Sequence, residues 1–356
     1  MNDKRKKPEI SWFGALCDDD YEFLGVVAPE LTSSWNHCRD IVLCAEENGF
    51  DNILLPSGYE LGIDATSFAS AISVATNKIR LLLAVRMGEM WLPQLARQMA
   101  TIDQMSGGRL TINIISSELP GQKLESDPRY ERTREHMKVL RQLLNGNPVD
   151  FHGQFVDLEI EAPRVRTVSG HCPLFYFGGF SEAAKETAAM EADVFLTWPD
   201  TVNGVESIVL DMKERALGYG RELKYGLRAH VIVRETEKEA RNAANRLISQ
   251  LDDKQGEEIR NRSLDAVSVG VSRQTELREN SDNDGFIEEN LWTGVGRARS
   301  GAGAAIVGDP DQVKNKINAY MDAGINAFIL SGYPHISECE LFGTNVLNQI
   351  EHSPLA

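Results

Sequence analysis

Two basic side chains, Arg228 and His230, lie two residues apart in the apolar segment RAHVIVRET at 228–236. Residues two apart in a β-strand point to the same face. Arginine offers a permanent, planar set of N–H donors, so a converging Arg and His would suit an oxyanion such as a sulfonate, phosphate or carboxylate. The pair is equally compatible with a surface position or a salt-bridge network, because spacing alone does not place the strand.

A second candidate is the turn Gly178-Gly179-Phe180-Ser181, which follows an apolar run and precedes a helical pattern. Backbone N–H groups at a helix N-terminus attract phosphate, and the Ser181 hydroxyl would add a donor. An ordinary tight turn is the commoner interpretation of an isolated Gly-Gly-x-Ser.

Gly294-x-Gly296 and Gly301-x-Gly303 follow no predicted strand, so they are interpreted as a flexible lid and not as a dinucleotide fingerprint. Arg299 lies in that segment, where it could close over an anion or remain a solvated charge.

The candidate positions lack the residues that several enzyme classes require. The predicted strand ends are rich in Arg, His, Tyr and Trp and hold no carboxylate cluster. A hydrolytic metal site or a glycosidase would need converging carboxylates. The chain also has no Gly-x-Ser-x-Gly nucleophile elbow. A basic, aromatic mouth favours an anionic substrate and a flat ring cofactor.

The elements that must position these residues alternate in type. Apolar, β-branched runs predict eight strands, separated by segments of helical period. The predicted strands cover 9–14, 52–55, 79–86, 110–117, 173–178, 193–198, 226–234 and 326–331. This count predicts an α/β fold, a (β/α)₈ TIM barrel with its chemistry at the carboxyl ends of the strands. A doubly wound open sheet is the structural alternative.

Residues 1–356 are interpreted as one barrel domain, with irregular additions at 145–172 and a mobile lid inserted at about 252–305. The net charge of −16 argues against nucleic-acid binding. No apolar run reaches the roughly 18 residues that span a membrane, and the basic start at 1–8 leads into a predicted strand and not into a signal peptide. Five unclustered cysteines fit a reducing compartment and exclude a Cys-based zinc site. We therefore expect a cytoplasmic protein.

Several long blocks resemble a known family. They include ARQMATIDQMSGGR at 96–109, PLFYFGGFSEAA at 173–184, NLWTGVGRARSGAGAAIVGD at 290–309 and FILSGYPH at 328–335, with shorter matches at PSG (56–58), RYE (129–131) and FLTW (195–198). The chain resembles, from about residue 9 to 350, the alkanesulfonate monooxygenase branch of the bacterial luciferase-like flavin monooxygenases.

The resemblance implies a (β/α)₈ barrel that uses O₂ and reduced FMN to cleave the C–S bond of an organosulfonate, giving sulfite and an aldehyde. It also implies a separate NAD(P)H-dependent FMN reductase and a homodimer or homotetramer. No metal is expected, because the candidate residues lack the spacing of metal ligands. Matching positions imply a catalytic set of Arg228, His230, Tyr333, His335, Trp198 and Arg299. They imply a flavin-binding set of Ala84, Asn113, Tyr130, Gly179, Phe180 and Ser181.

Three departures from the family pattern are expected to lie near the mouth. Leu61 or Gly62 replaces a frequent family Cys, Cys17 replaces a His, and the C-terminal tail is short. They predict a bulkier or more polar sulfonate, such as an aromatic sulfonate or a sulfosugar like sulfoquinovose. The acidic run 18–20 is expected to form a solvated turn.

Three other functions remain open on the sequence. The first is a flavin oxygenase acting on a carbonyl or nitrogen compound, and the second is a non-catalytic flavin-binding barrel. The third is a deazaflavin-dependent dehydrogenase.

Overall fold

The computed structural model of the chain describes residues 7–261 and 268–355. Most of the basic start and part of the predicted lid therefore lie outside the described residues. The strands are β1 (Glu9–Phe13), β2 (Asn52–Leu55), β3 (Arg80–Arg86), β4 (Leu110–Ile115), β5 (Val149–His152), β6 (Asp157–Ile160), β7 (Phe175–Gly178), β8 (Val194–Thr197), β9 (Lys224–Val233), β10 (Phe286–Glu288), β11 (Leu291–Trp292), β12 (Ala305–Gly308) and β13 (Ala327–Ser331). The helices are α1 (Trp35–Glu47), α2 (Ala65–Ala75), α3 (Leu92–Met105), α4 (Ser126–Leu144), α5 (Glu182–Glu191), α6 (Val202–Gly218), α7 (Glu237–Leu247), α8 (Asp253–Asn261), α9 (Val269–Glu279), α10 (Pro310–Asp322) and α11 (His335–Asn345).

Within the described residues, eight parallel strands close a barrel. The pairing runs β1–β2–β3–β4–β7–β8–β9–β13 and returns to β1. These are the eight predicted strands, so the predicted fold class is confirmed. Their apolar runs are buried on both faces, as in LLLAV of β3, because helices cover the outside and side chains fill the inside.

Strand β9 carries the Arg228-x-His230 pair and is the longest strand of the barrel. Its first residues pair with β8, from Val194 opposite Lys224 onwards. Its last residues pair instead with β12, which places His230 opposite Ala305. The sequence analysis did not predict β12, because its short apolar run directly follows the glycine-rich segment that was interpreted as a lid. The end of the inserted segment 252–305 is therefore hydrogen-bonded to β9, the strand that carries Arg228 and His230.

The described part of the segment 252–305 is not irregular, which corrects the prediction made for it. It contains α8, α9 and the antiparallel strands β10 and β11. Gly294 and Gly296 lie buried in a short 3₁₀ helix. A Cβ on Gly294 would come within 2.0 Å of the Trp292 ring, so close packing, not flexibility, requires glycine there.

The C-terminal residues close the barrel at the end opposite the mouth. The Leu355 N–H donates to Glu9 at 3.0 Å, and Lys224 donates to the Leu355 carbonyl at 2.9 Å. Glu9 and Lys224 begin their strands, so this tail lies at the amino ends. The expectation that the tail departure lies near the mouth is therefore wrong. Within residues 7–261 and 268–355, no helix is long and apolar enough to cross a membrane.

Candidate active site

A cavity of about 410 Å³ opens at the carboxyl ends of the strands. Such a volume suits a small-molecule or cofactor site. Its walls include seven of the residues singled out from the sequence: Asn113, Tyr130, Gly179, Phe180, Ser181, Trp198 and Arg228. The fold thus brings together residues that are up to 115 positions apart in the chain, as expected for side chains at the carboxyl ends of barrel strands.

One end of the cavity is formed by the start of α5. Ser181 caps this helix, and its Oγ accepts the Ala184 N–H at 3.2 Å. A Cβ on Gly179 would lie 2.5 Å from the Ala184 Cβ and 3.4 Å from the Tyr130 hydroxyl. Arg129 also lines the cavity, and its buried Nε has no partner among the described residues. A helix N-terminus, two hydroxyls and a guanidinium therefore surround this end, which fits a phosphate group.

The wall of the cavity that faces helix α9 is aromatic. The rings of Phe180 and Trp198 are 5.7 Å apart between centroids. Helix α9 packs on both rings at Gly270, where a Cβ would lie 2.7 Å from each. The inserted segment therefore covers the cavity through a glycine contact, which leaves little room for water between helix and rings.

Arg228 also lines the cavity and is 6% exposed. Its guanidinium donates to the Ala229 carbonyl at 2.7 Å and to the Ser331 hydroxyl at 2.8 Å, and it lies 4.3 Å from the Phe13 ring centroid. No carboxylate of the described chain lies within ion-pair distance of it. Burial and the neighbouring Arg299 lower the pKa of Arg228 to about 9. The site thus holds a buried cation that forms no direct ion pair within the described residues.

His230 lies beside Arg228 on the same face of β9, as the spacing predicted. Its Nδ1 is 2.9 Å from the Ser331 hydroxyl, while its buried Nε2 has no partner among the described residues. Burial, then Arg228 and Arg299, hold the pKa of His230 well below its usual range. The ring is therefore neutral at neutral pH and leaves Nε2 available to a ligand.

Arg299 folds back over the same region and is not a solvated loop charge. It donates to the Tyr333 hydroxyl at 2.9 Å and forms an ion pair with Asp19. Burial raises the pKa of Tyr333, so the phenol stays protonated at neutral pH. The rings of Tyr333 and His230 are 5.1 Å apart, and those of Tyr333 and His335 5.2 Å. Arg228, His230, Arg299, Tyr333 and His335 form one group, called the basic cluster below.

The acidic run 18–20 is a solvated turn only at Asp18, so the expectation is wrong for Asp19 and Asp20. The side chain of Asp19 is 13% exposed and that of Asp20 is fully buried. Asp20 Oδ2 lies 2.8 Å from His37 Nε2, and Oδ1 accepts the His335 backbone N–H at 3.0 Å. His335 Nδ1 lies 3.0 Å from the same oxygen, without the geometry of a hydrogen bond.

The substituted position Cys17 lies near the mouth, as expected. A Cβ on Gly58, in the loop after β2, would be 3.3 Å from the Cys17 sulfur. Burial, together with the neighbouring Asp19, raises the pKa of Cys17 to about 12, which keeps the thiol protonated. Among the described residues, no group of three His, Cys, Asp or Glu side chains could hold a metal ion.

Not every predicted residue lines the cavity. Ala84 is opposite Asn113 in the sheet but is 2% exposed and packs in the barrel interior. Of the basic cluster, only Arg228 lines the cavity itself, and the others lie beside it. Sequence reasoning missed three contributors, Phe13, Arg129 and Asp20, and it assigned no role to Ser331 at the end of the last predicted strand. Phe13 lies one residue before the end of the predicted strand 9–14, so the strand-end rule could have found it, whereas nothing local marks Asp20 as buried.

Comparison with known proteins gives consistent matches. A model described as luciferase-like monooxygenase matches residues 23–327. The chain is 59% identical over 354 residues to a protein of Novosphingobium aromaticivorans named sulfoquinovose monooxygenase, covering 98% of each chain. It is 49% identical over 346 residues to a protein of the same name from Agrobacterium fabrum, covering 96% of this chain and 90% of the other. The structure of an EDTA monooxygenase from a Chelativorans species matches with a TM-score of 0.76 at 16% identity, over 97% of this chain and 93% of that one, a likeness of fold alone.

Proposed function

The chain belongs to the luciferase-like monooxygenase family, and on that premise we propose that it desulfonates a sulfosugar, sulfoquinovose, with O₂ and reduced FMN. The family resemblance found in the sequence is confirmed, and with it a flavin-dependent monooxygenase activity. In the proposed reaction R–CH₂–SO₃⁻, O₂ and FMNH₂ give R–CHO, HSO₃⁻, FMN and water. One oxygen atom enters the carbonyl group, the other leaves as water, and the C–S bond breaks.

The observation that carries this proposal is the buried Arg228. A charge without a counter-ion is costly inside a protein, so the site is built for an anionic ligand. A sulfonate offers three oxygens to the guanidinium donors and stays negatively charged at all physiological pH values. A neutral carbonyl or nitrogen substrate, the alternative raised by the sequence, would leave this charge unmatched.

The phosphate-sized end of the cavity supports FMN as the flavin. Ser181, the Gly179 backbone and Tyr130 would hold the phosphate, and Asn113 would face the ring system. When bound, the reduced flavin supplies the electrons that activate O₂. The α9 contact at Gly270 would keep water away from it. A separate NAD(P)H-dependent reductase, a dimeric or tetrameric state and a cytoplasmic location stay predictions.

The basic cluster supplies groups for the proton transfers. The neutral His230 presents Nε2, which forms no hydrogen bond with the described residues, and Tyr333 has a protonated hydroxyl that accepts a hydrogen bond from Arg299. Either group can hold or deliver a proton at the substrate carbon and its new oxygen. Trp198 and Phe180 provide the apolar wall against which the substrate and flavin would lie.

Sulfite release tests the proposal. The protein would be incubated with FMN, NADH, O₂, an unrelated flavin reductase and a panel of alkyl, aromatic and sugar sulfonates. We expect sulfite from sulfoquinovose, together with the corresponding six-carbon dialdose. Sulfite from no member of the panel, although reduced FMN binds, would overturn the desulfonation proposal in favour of a non-sulfonate oxygenase.

Replacing Ser181 by alanine is expected to weaken FMN binding by about tenfold or more. The hydroxyl accepts the Ala184 N–H, which leaves its proton free for the phosphate, and a hydrogen bond to a charged group contributes about 1.5–3 kcal/mol. Fluorescence titration of FMN measures the change. Thr236→Ala is the matched control, because Thr236 caps α7 in the same way. A Ser181→Ala protein that binds FMN like the Thr236→Ala protein would contradict the assignment of the phosphate site.

A further inference from the structure

Asp19 lies where two guanidinium groups meet. Arg228 and Arg299 both face the ring of Phe13, with their central carbons 4.3 Å and 5.4 Å from its centroid. Asp19 lies six residues after Phe13, in the loop that follows β1, and pairs with Arg299 through Oδ2. Its other oxygen, Oδ1, is buried and has no partner among the described residues. One carboxylate therefore shares the anion-binding region with two arginines.

The charges in this region do not cancel. Arg228 and Arg299 contribute two positive charges and Asp19 one negative charge, whereas His230 and Tyr333 are neutral at neutral pH. Asp20, the other buried carboxylate of the loop, is held by His37 and by the backbone N–H of His335, and by neither arginine. His335 also faces Phe13, with ring centroids 6.0 Å apart, but its Nδ1 lies 3.0 Å from the Asp20 carboxylate, so these two groups are counted as a pair. Among the other described residues facing Phe13, one net positive charge remains, which matches a ligand with a single negative charge.

We infer that Asp19 is a specificity-determining residue that admits a sugar sulfonate and rejects the corresponding sugar phosphate. This inference rests on the proposed function. Sulfoquinovose carries a sulfonate on C6 of glucose, where glucose 6-phosphate carries a phosphate ester of similar size. The sulfonate has one negative charge, whereas a phosphate monoester approaches two at neutral pH because its second pKa is near 6.

The carboxylate achieves this through repulsion. Two arginines alone would bind the dianion more tightly than the monoanion, because the attraction grows with ligand charge. With Asp19 in place, the second negative charge of a phosphate is repelled by the carboxylate, whose Oδ1 accepts no hydrogen bond from the described residues. Specific sites commonly combine attraction for the correct ligand with a repulsive group against its competitor.

Binding of three ligands to the full-length protein with FMN tests the inference by calorimetry. The ligands are sulfoquinovose, glucose 6-sulfate and glucose 6-phosphate. The sulfate ester shares the bridging oxygen of the phosphate but has the single charge of the sulfonate, so it separates charge from shape. We expect the wild-type protein to bind the sulfate at least about tenfold more tightly than the phosphate.

Asp19→Asn is expected to reduce this preference by about tenfold, chiefly through tighter phosphate binding. Asp18→Asn is the matched control, since Asp18 is an exposed neighbour with φ of 57°, a conformation that Asn tolerates, and should keep the wild-type ratio. Asp19→Glu keeps the charge and should also retain the preference.

Equal binding of sulfate and phosphate by the wild-type protein would overturn the inference without any variant. An unchanged ratio in folded Asp19→Asn would overturn it as well. If no monoanion binds and no sulfite is released from sulfoquinovose, the proposed function fails too. Monoanion binding with sulfite release but an unchanged ratio overturns only the role of Asp19.

Discussion

Replacing Arg228 by methionine is expected to lower kcat/KM for sulfite release by about 10²–10⁴-fold. Two charge-assisted hydrogen bonds to a sulfonate contribute about 1.5–3 kcal/mol each, and 1.4 kcal/mol corresponds to a factor of ten. Methionine has a similar length and no donors. A steady-state sulfite assay at low substrate concentration measures the loss. A variant that retains more than about a tenth of the wild-type kcat/KM would show that Arg228 does not hold the sulfonate.

The same substitution should leave the ligand-free protein as stable as the wild type, or more stable. Arg228 is buried without a carboxylate partner among the described residues, so its removal relieves a desolvation cost. Arg234→Met is the contrasting control, because Arg234 pairs with Glu338, whose side chain is 3% exposed. Removing Arg234 strands a buried carboxyl group and should lower Tm by several degrees. Thermal unfolding of both variants without ligand separates a functional arginine from a structural one.

Replacing Asp20 by asparagine is expected to reduce the free energy of unfolding at pH 7 by at least about 3 kcal/mol. The carboxylate accepts hydrogen bonds from the backbone N–H groups of Tyr21 and His335 and contacts His37 Nε2, and bonds to a charged group contribute about 1.5–3 kcal/mol each. Urea denaturation measures the change. Asp40→Asn is the control, since its exposed pair with Arg39 should contribute less than about 1 kcal/mol.

The effect of Asp20 should also depend on pH. Burial alone would raise the pKa of Asp20, but His335 and His37 outweigh burial and lower it below the usual value for aspartate. A carboxylate with a lowered pKa stabilises the fold fully above its unfolded pKa, near 3.9, and loses that contribution as the pH falls through the folded pKa. The stability difference between wild type and Asp20→Asn should therefore be largest near pH 7 and shrink below about pH 4. A difference under about 1 kcal/mol at pH 7 would contradict this role.

Much of the fold can be predicted from local patterns in the sequence. Each barrel strand is buried on both faces, so it leaves a short apolar run that is visible without its neighbours. Helix limits are marked as clearly, by Ser34 capping α1 and by Asp309-Pro310 opening α10. Once the strands were located, the strand-end rule predicted where the cavity would form.

The inserted segment shows where local patterns fail. Strand β12 has four residues and exists because the end of β9 offers it a free edge. Gly294 is typical of a loop in isolation, whereas the structure requires it because the Trp292 ring leaves no room for a Cβ. Neither the strand nor the need for glycine can be predicted from the neighbouring residues, since each depends on a contact that forms only when the chain folds.

The sequence by itself determined the barrel, the family and the residue types at the mouth, because these follow from periodicity, strand ends and matched blocks. Only the tertiary structure decided which charges are paired. Asp19 meets Arg299 across 280 residues of chain and Asp20 meets the His335 backbone across 315, whereas Arg228 is left without a carboxylate in the described chain. Charge pairing depends on distances of a few ångströms between segments remote in sequence, and burial then sets the free energy of each charge.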